Sequence, residues 1–127
     1  NRLLEILDQH PLDVYLLNTG RVGGGDDDER SKKVRIEHSA AVQAGIVEGT
    51  IEWEEDPDFG YEVASSIPGF DDDELLQPRK LYGSQGREDE YRELVARLHH
   101  ERESYLARFP TLDDRVREVS RTGSLER

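Results

Sequence analysis

The chain has 127 residues, enough for one domain at most, and contains neither cysteine nor methionine. Its 29 acidic and 17 basic residues give a formal net charge of −12 at pH 7. This charge argues against nucleic acids and anionic membranes as partners, because both are polyanions. Disulfide and thiol chemistry are excluded, and no apolar run approaches the ~18 residues of a membrane-spanning helix. The composition predicts a soluble, cytoplasmic protein.

Hydrophobic residues make up only 34% of the chain, so the predicted core is thin. A short chain with a thin core often needs the surface of a partner. The chain begins at Asn1, and residues 3–7 have the pattern of the end of a helix. These features favour a fragment of a larger protein.

The first elements in chain order are a helix at about 2–9 and a strand at about 13–18. His10 and Pro11 end the helix. Val14 to Leu17 are four consecutive apolar residues, too few for a helix but enough for a short central strand. Asn18, Thr19 and Gly20 then place polar groups at its carboxyl end, where open α/β sheets bind ligands.

A loop, a short strand and a helix are predicted next. Residues 21–30 combine three glycines with four consecutive acids, which predicts a loop that is mobile without a ligand. Val34 and Ile36 alternate with polar residues, as in a short strand. Ser39 is the predicted N-cap of a helix at about 40–48, which Gly49 follows.

The second half predicts two strands and the longest helix. Residues 51–54 form one strand, with Trp53 half-buried, and alternating side chains over 61–67 form another. From 88 to 109 apolar residues recur at helical spacing, ending before Pro110. The stripe consists of Tyr91, Leu94, Val95, Leu98, Tyr105, Leu106 and Phe109. The predicted fold is a mixed α/β lobe with short central strands and a long C-terminal amphipathic helix packed across one face.

The best candidates for binding are the cations Lys32, Lys33 and Arg35, which lie between a glycine-rich loop and a helix start. They could contact the phosphates or ribose of a nucleotide, with backbone groups near Val34 and Ser39 holding the base. The alternative is that they are solvated neighbours of the acids at 26–29 and neutralise them locally.

Other patterns predict no chemistry. The glycines at 23–25 lack the spacing of a phosphate-binding P-loop, and the acidic runs at 26–29 and 71–74 lack that of a calcium loop. His99 and His100 are adjacent on a helix and point about 100° apart, so they cannot share a metal. The sequence therefore gives no catalytic residue and no metal ligand.

Several segments together resemble the C-terminal end of ATP-dependent phosphoenolpyruvate carboxykinase, over residues 12–110. They are Val14–Gly20, the basic segment 31–39, Gly60–Gly69 with its Pro-Gly end, Leu76–Arg79, and the helix from Glu90 to Phe109. Differences lie at four positions: Arg21 replaces Trp, Lys33 replaces Arg, Ser39 replaces Thr and Ala40 replaces Arg. The resemblance is to a divergent, acidic branch such as that of salt-adapted microbes.

The resemblance implies that residues 1–119 are the C-terminal portion of a larger, P-loop-containing nucleotide-binding domain, with a frayed tail at 120–127. It places Lys33, Val34 and Ser39 against ATP, with Asn18, Gly20, Lys32 and Arg35 as secondary contacts. The intact enzyme would use ATP and a divalent metal (Mg²⁺ or Mn²⁺) to form phosphoenolpyruvate from oxaloacetate in gluconeogenesis.

The P-loop and the metal-bridging acid would then lie upstream of Asn1, so the fragment would hold no cofactor and be inactive alone. Its partners would be the remainder of the carboxykinase chain and ATP or ADP. The alternative is a free-standing acidic module that has kept a carboxykinase-like shape but binds another protein.

Overall fold

Two helices and two pairs of short antiparallel strands are followed by four helices over residues 1–122, the part of the chain that the computed structural model describes. This is a mixed α/β arrangement, as the sequence predicts. No helix in this part is long and apolar enough to cross a bilayer. The elements are α1 (Arg2–Gln9), β1 (Arg21–Val22), β2 (Lys32–Lys33), α2 (Ile36–Glu48), β3 (Glu52–Glu55), β4 (Glu62–Ser66), α3 (Asp73–Leu76), α4 (Pro78–Ser84), α5 (Glu88–Leu106) and α6 (Asp114–Thr122).

The strands form two separate antiparallel pairs. In the first, Arg21 lies opposite Lys33 and Val22 opposite Lys32. This pair replaces the strand predicted at Val34 and Ile36, which is wrong, because Val34 follows the strand and Ile36 begins α2. The second pair joins β3 and β4, with an irregularity between Glu52 and Trp53, and confirms the two predicted strands with small shifts at their ends.

The central strand predicted at 13–18 is wrong for this structure. Residues 11–19 have neither helix nor strand conformation, and Leu16 is 100% exposed. A strand forms only when a neighbouring strand satisfies its backbone N–H and C=O groups. Within residues 1–122 the strands pair only within their own hairpins, so none lies beside this segment. Its one ring contact is between Tyr15 and Trp53, whose centroids are 5.6 Å apart.

A small core lies between the first strand pair and helices α3 and α4. Its buried members are Val22, Val34, Leu75 and Leu81, with Phe70 packed against them. Leu81 is fully buried. A second buried contact holds α2 against the two residues that flank the β3–β4 hairpin, because Gly45 has no side chain and lets Ile51 and Ile67 approach its backbone. Each contact is small, which agrees with the apolar-poor composition.

Helix α2 begins four residues before the predicted start. Its N-cap is Arg35, whose N–H donates to Nδ1 of His38 at 3.1 Å. Ser39 is therefore not the N-cap; it lies in the first turn and donates its N–H to the carbonyl of Arg35. The predicted end is confirmed, because Gly49 adopts a left-handed φ of 68° and donates to Gly45.

Helix α5 confirms the predicted long helix but ends at Leu106, three residues early. Three residues of its apolar stripe, Leu98, Tyr105 and Phe109, are 44–56% exposed, whereas the other four are partly buried. The helix contacts α4 near its start and α6 near its end. In the predicted frayed tail, residues 120–122 belong to α6, and 123–127 lie outside the described residues.

A matched pair of glycine substitutions tests the core. Gly23 and Gly86 both have positive φ, 88° and 65°. A Cβ on Gly23 would overlap Cδ2 of the buried Leu81, whereas nothing lies within 4 Å of one on Gly86. We expect Gly86→Ala to lower the free energy of unfolding by about 1–2 kcal/mol, from backbone strain alone. Gly23→Ala should lower it by a further ~1–3 kcal/mol from overpacking, measured by urea denaturation. Equal losses would contradict this account of the core.

Candidate functional site

An open cavity of about 370 Å³ lies where β2 and the starts of α2 and α3 meet. It is lined by Lys32, Lys33, Arg35, His38, Asp71, Asp72 and Leu75. The structure thus brings the three predicted cations to one cavity. It also places two carboxylates there that the sequence predicted to be only solvated surface.

Lys32 is committed to an ion-pair cluster. Its Nζ lies 3.1 Å from Asp72 Oδ2 and 2.5 Å from Glu74 Oε2. These carboxylates raise the pKa of Lys32, and the lysine in turn lowers the pKa of Glu74. Asp72 also caps α3 by accepting the N–H of Glu74. Lys32 is therefore neutralised by carboxylates of the acidic run at 71–74, and not by the acids at 26–29 that the sequence alternative named.

In the described part of the chain, Lys33 and Arg35 are not neutralised by close ion pairs as Lys32 is. Both are exposed, and within residues 1–122 the one ion pair of Arg35 is a long one of 3.8 Å to the exposed Glu37. Among residues 1–122, Lys33 has no ion-pair partner. A cation without a partner at the edge of a cavity can bind an anionic group without first breaking an existing pair. The local positive charge available to a ligand is therefore that of Lys33 and, in part, Arg35.

Val34 joins the cavity to the turn at Asn18. Its side chain is buried in the core, and its N–H donates to the carbonyl of Gly20 at 2.9 Å. Asn18 accepts the N–H of Gly20 at 2.8 Å and donates to the carbonyl of Arg21 at 3.3 Å. The predicted turn therefore exists without the predicted strand. Ser39 is half-buried on α2 and is not among the residues that line the cavity.

His38 lies in the cavity wall, where sequence reasoning did not place it. Because its Nδ1 accepts the N–H of Arg35, the neutral ring carries its proton on Nε2. The ring packs on Phe70, with centroids 4.7 Å apart. Its position three residues after the N-cap is that of a capping box, but the signal is visible only once Arg35 is identified as the cap.

The glycine-rich loop that precedes β2 is held by several polar contacts. The hydroxyl of Ser31 lies within hydrogen-bond distance of the carbonyls of Gly25 and Asp28, can donate its one hydrogen to either, and accepts from Nε of Arg21 at 2.8 Å. Arg30 forms a two-pronged pair with Asp28, at 2.9 and 2.8 Å. Mobility of this loop stays a prediction. Arg87, which sequence reasoning missed, also bonds the loop, at the carbonyl of Gly23.

The described residues contain no group of three or more histidine, aspartate or glutamate side chains that could hold a metal ion. His99, the better placed of the two adjacent histidines, bonds the carbonyl of Asp58 at 2.7 Å and stacks on Phe59. It fastens the turn after β3 to helix α5. No sequence signal identified that structural role.

A family profile for phosphoenolpyruvate carboxykinase matches residues 1–73. The chain is similar to phosphoenolpyruvate carboxykinase (ATP) of Methylobacterium radiotolerans, with 33% identity over 101 residues, 77% of this chain and 18% of the relative. For the Bacillus subtilis protein of that name the identity is 29% over 110 residues, 84% and 20% of the two chains. For phosphoenolpyruvate carboxykinase (ATP) 1 of Salinibacter ruber it is 30% over 107 residues, 81% and 19%. The chain thus spans no more than about a fifth of these relatives.

The geometry of the Asp28–Arg30 ion pair can be tested by titrating Asp28. Hydrogen bonds from the side chain and backbone of Arg30 lower the pKa of Asp28 to about 2, from 3.8. Because the folded pKa is the lower one, the pair stabilises the fold fully above pH ~4, and this contribution is lost as the pH falls through ~2. We expect NMR titration to show that Arg30→Gln returns the pKa of Asp28 towards 3.8, with Arg2→Gln as a remote control. An Asp28 pKa near 3.8 in the unsubstituted chain would contradict the geometry.

Proposed function

This chain belongs to the phosphoenolpyruvate carboxykinase family, and we propose that it is the C-terminal part of an ATP-dependent carboxykinase. The intact enzyme would convert oxaloacetate and ATP to phosphoenolpyruvate, ADP and carbon dioxide, as in cytoplasmic gluconeogenesis. Breaking the bond to the departing carboxylate leaves its electron pair on the enolate. The enolate oxygen then takes the γ-phosphoryl group as ADP leaves. Such transfers depend mainly on the positioning and electrostatic stabilisation of the phosphates.

We propose that this chain forms one side of the nucleotide site rather than its phosphate cradle. The observation that carries this proposal is Lys33, an exposed cation without an ion-pair partner in the described part of a strongly acidic chain, at the edge of an open cavity. An anionic ligand explains such a cation better than a neighbouring acid does, because Asp72 and Glu74 already pair with Lys32 and no carboxylate within residues 1–122 pairs with Lys33. Arg35 would assist, and Val34, whose side chain is buried in the core and does not line the cavity, would contribute through its backbone bond to Gly20.

Ser39 and the turn at Asn18 and Gly20 complete the proposed nucleotide side. Ser39 is on the first turn of α2, where the positive end of the helix dipole favours an anion, and its own N–H is bonded to Arg35. Gly20 is bonded to Val34, so the turn and the start of α2 are fixed relative to each other. ATP and a divalent metal would bind mainly to other parts of the intact protein. The isolated fragment would therefore hold neither and show no turnover.

The remainder of the carboxykinase chain is the proposed partner. The segment 12–17 leaves Leu12, Val14 and Leu16 between 66% and 100% exposed, and Leu3 on α1 is 63% exposed. Continuous exposed apolar surface marks an interaction site. Contact with the larger part of the protein would cover it.

Substitution of Lys33 in the full-length protein tests the nucleotide site. A charge-assisted contact contributes about 1.5–3 kcal/mol, so Lys33→Ala should raise the KM for ATP about ten- to hundredfold without lowering the melting temperature. The control is Lys80→Ala, because Lys80 is also exposed but pairs with Asp73. Ser39→Ala should raise the KM for ATP less. If Lys33→Ala and Ser39→Ala both leave the KM for ATP within twofold of its original value, the proposed nucleotide site is wrong. The acidic interaction module then becomes the better proposal.

Substitution of Leu16 tests the covered surface. In the 127-residue chain, where Leu16 is fully exposed, Leu16→Asp should change the free energy of unfolding by less than about 0.5 kcal/mol. In the full-length protein the aspartate would be buried without a partner, and we expect a loss of about 2–4 kcal/mol. Chemical denaturation of both proteins measures the difference. An effect that is equally small in both would show that this surface stays uncovered.

A further inference from the structure

A buried arginine lies at the start of α5, where no cation was predicted to matter. Arg87 is only 8% exposed, and its guanidinium lies 4.4 Å from the centre of the Tyr82 ring. Nε and Nη2 donate to the two carboxylate oxygens of Glu90, at 2.8 and 2.7 Å. Nη1 donates to Gln85 at 2.8 Å and to the carbonyl of Gly23 at 3.1 Å. All three guanidinium nitrogens thus have acceptors, and one bond reaches a loop 64 residues away in sequence.

A second arginine extends this arrangement into the loop. Arg30 pairs with Asp28 at 2.8 Å and reaches Glu90 at 3.7 Å, while Arg87 lies 3.8 Å from Asp28. Two cations and two carboxylates therefore alternate, and each charge has neighbours of opposite sign. We call Asp28, Arg30, Arg87 and Glu90 the arginine clamp. It joins the loop 23–31 to the first turn of α5.

The clamp is continuous with the cavity. Gln85 donates to the carbonyl of Arg30 at 2.9 Å, and the hydroxyl of Ser31 bonds the carbonyl of Asp28 at 2.7 Å. Ser31 is followed directly by Lys32 and Lys33, which form β2 and line the cavity. At the other end of the loop, Gly23 packs on Leu81 and is bonded by Arg87. Both ends of the loop are therefore held against α4 and α5.

We propose that Arg87 is a positioning residue for nucleotide binding: it fixes the loop 23–31 so that β2 presents Lys33 to the ligand. This rests on the proposed function, because it takes ATP as the ligand at Lys33. Two features of arginine suit the role. Its planar fork engages the Glu90 carboxylate with two parallel bonds while a third donor reaches the loop, and its face stacks on Tyr82. A lysine would keep the charge but lose this geometry.

The test uses the full-length protein with Arg87→Gln and Arg87→Lys. We expect both to raise the KM for ATP about five- to tenfold, with kcat and the KM for oxaloacetate unchanged within twofold. Arg92→Gln is the matched control, because Arg92 is on α5, which Arg87 precedes, and makes an exposed pair with Asp89. Equal loss of kcat and of affinity for both substrates would indicate general damage to the fold and overturn the proposal. Full rescue by lysine would also overturn it, because charge alone would then suffice.

Hydrogen exchange supplies the second measurement. The amide of Ser31 donates to the carbonyl of Asp28 inside the loop, and it should exchange faster in Arg87→Gln but not in Arg92→Gln. Unchanged exchange would show that the clamp does not hold the loop. Faster exchange with an unchanged KM for ATP would show that the loop does not serve the nucleotide. Arg30→Gln, in which the lost side chain is 54% exposed, is a milder variant should Arg87→Gln prevent folding, and the same two results are expected of it.

Lys33→Ala separates this inference from the function on which it rests. If Lys33→Ala raises the KM for ATP but Arg87→Gln does not, the nucleotide site stands and the positioning role is wrong. If Lys33→Ala has no effect, the proposed site fails, and with it the role of Arg87 towards ATP. Faster exchange of Ser31 in Arg87→Gln would then still establish the clamp as part of the fold alone.

Discussion

The packing of Leu81 against the first hairpin is the contact on which the rest of the cavity depends. Leu81 is fully buried among Val22, Val34 and Leu75, and the missing side chain at Gly23 lets the loop backbone lie against it. This one cluster holds two strands, each of two residues, that could not persist alone. Because Val34 is both a core residue and the bonding partner of Gly20, the same packing also fixes the turn that begins at Asn18.

Because the core is thin, ion pairs supply part of the connection between segments that are distant in sequence. With 29 acids and 17 bases, this chain has more carboxylates than it can pair, and Glu55 even lies opposite Glu62 in the second hairpin. Ion pairs at exposed sites contribute little. The clamp differs because Arg87 is buried and its donors are satisfied, so removing one partner would leave a buried charge uncompensated. Charge is thus concentrated where the fold needs a fixed connection between distant segments.

Local signals predicted the elements that depend on local interactions. The long period of α5, the Gly49 end of α2 and the alternation in β4 each follow from nearby side chains and backbone geometry, and each is present. The strand at 13–18 failed because its formation depends on a neighbouring strand, which no local pattern supplies. Ser39 failed as the N-cap because the helix begins at Ile36, where Arg35 is the cap and donates its N–H to Nδ1 of His38.

The candidate site, like the fold, was predictable where it depends on nearby residues and not where it depends on distant ones. Lys32, Lys33 and Arg35 were recognisable as the scarce cations of an acidic chain, and the structure puts them around one cavity. Their different roles were not predictable, because Lys32 is neutralised by Asp72 and Glu74, 40 and more residues further along the chain. Arg87 was hidden for the same reason: its partners Gly23 and Asp28 are more than 55 residues away. Long-range pairing thus decides which cation is structural and which can meet a ligand.

The exposed segment 12–17 and the cavity are connected through the turn that separates them. Leu16 and Leu17 lead directly into Asn18 and Gly20, and Gly20 is bonded to Val34 between the cavity residues Lys33 and Arg35. Covering the apolar segment with the rest of a carboxykinase would satisfy its backbone as a strand and immobilise the residues that enter the turn. The nucleotide side would then be ordered by the same contact that buries the apolar surface. If the proposed assembly holds, binding competence and contact with the larger protein would accordingly be gained together.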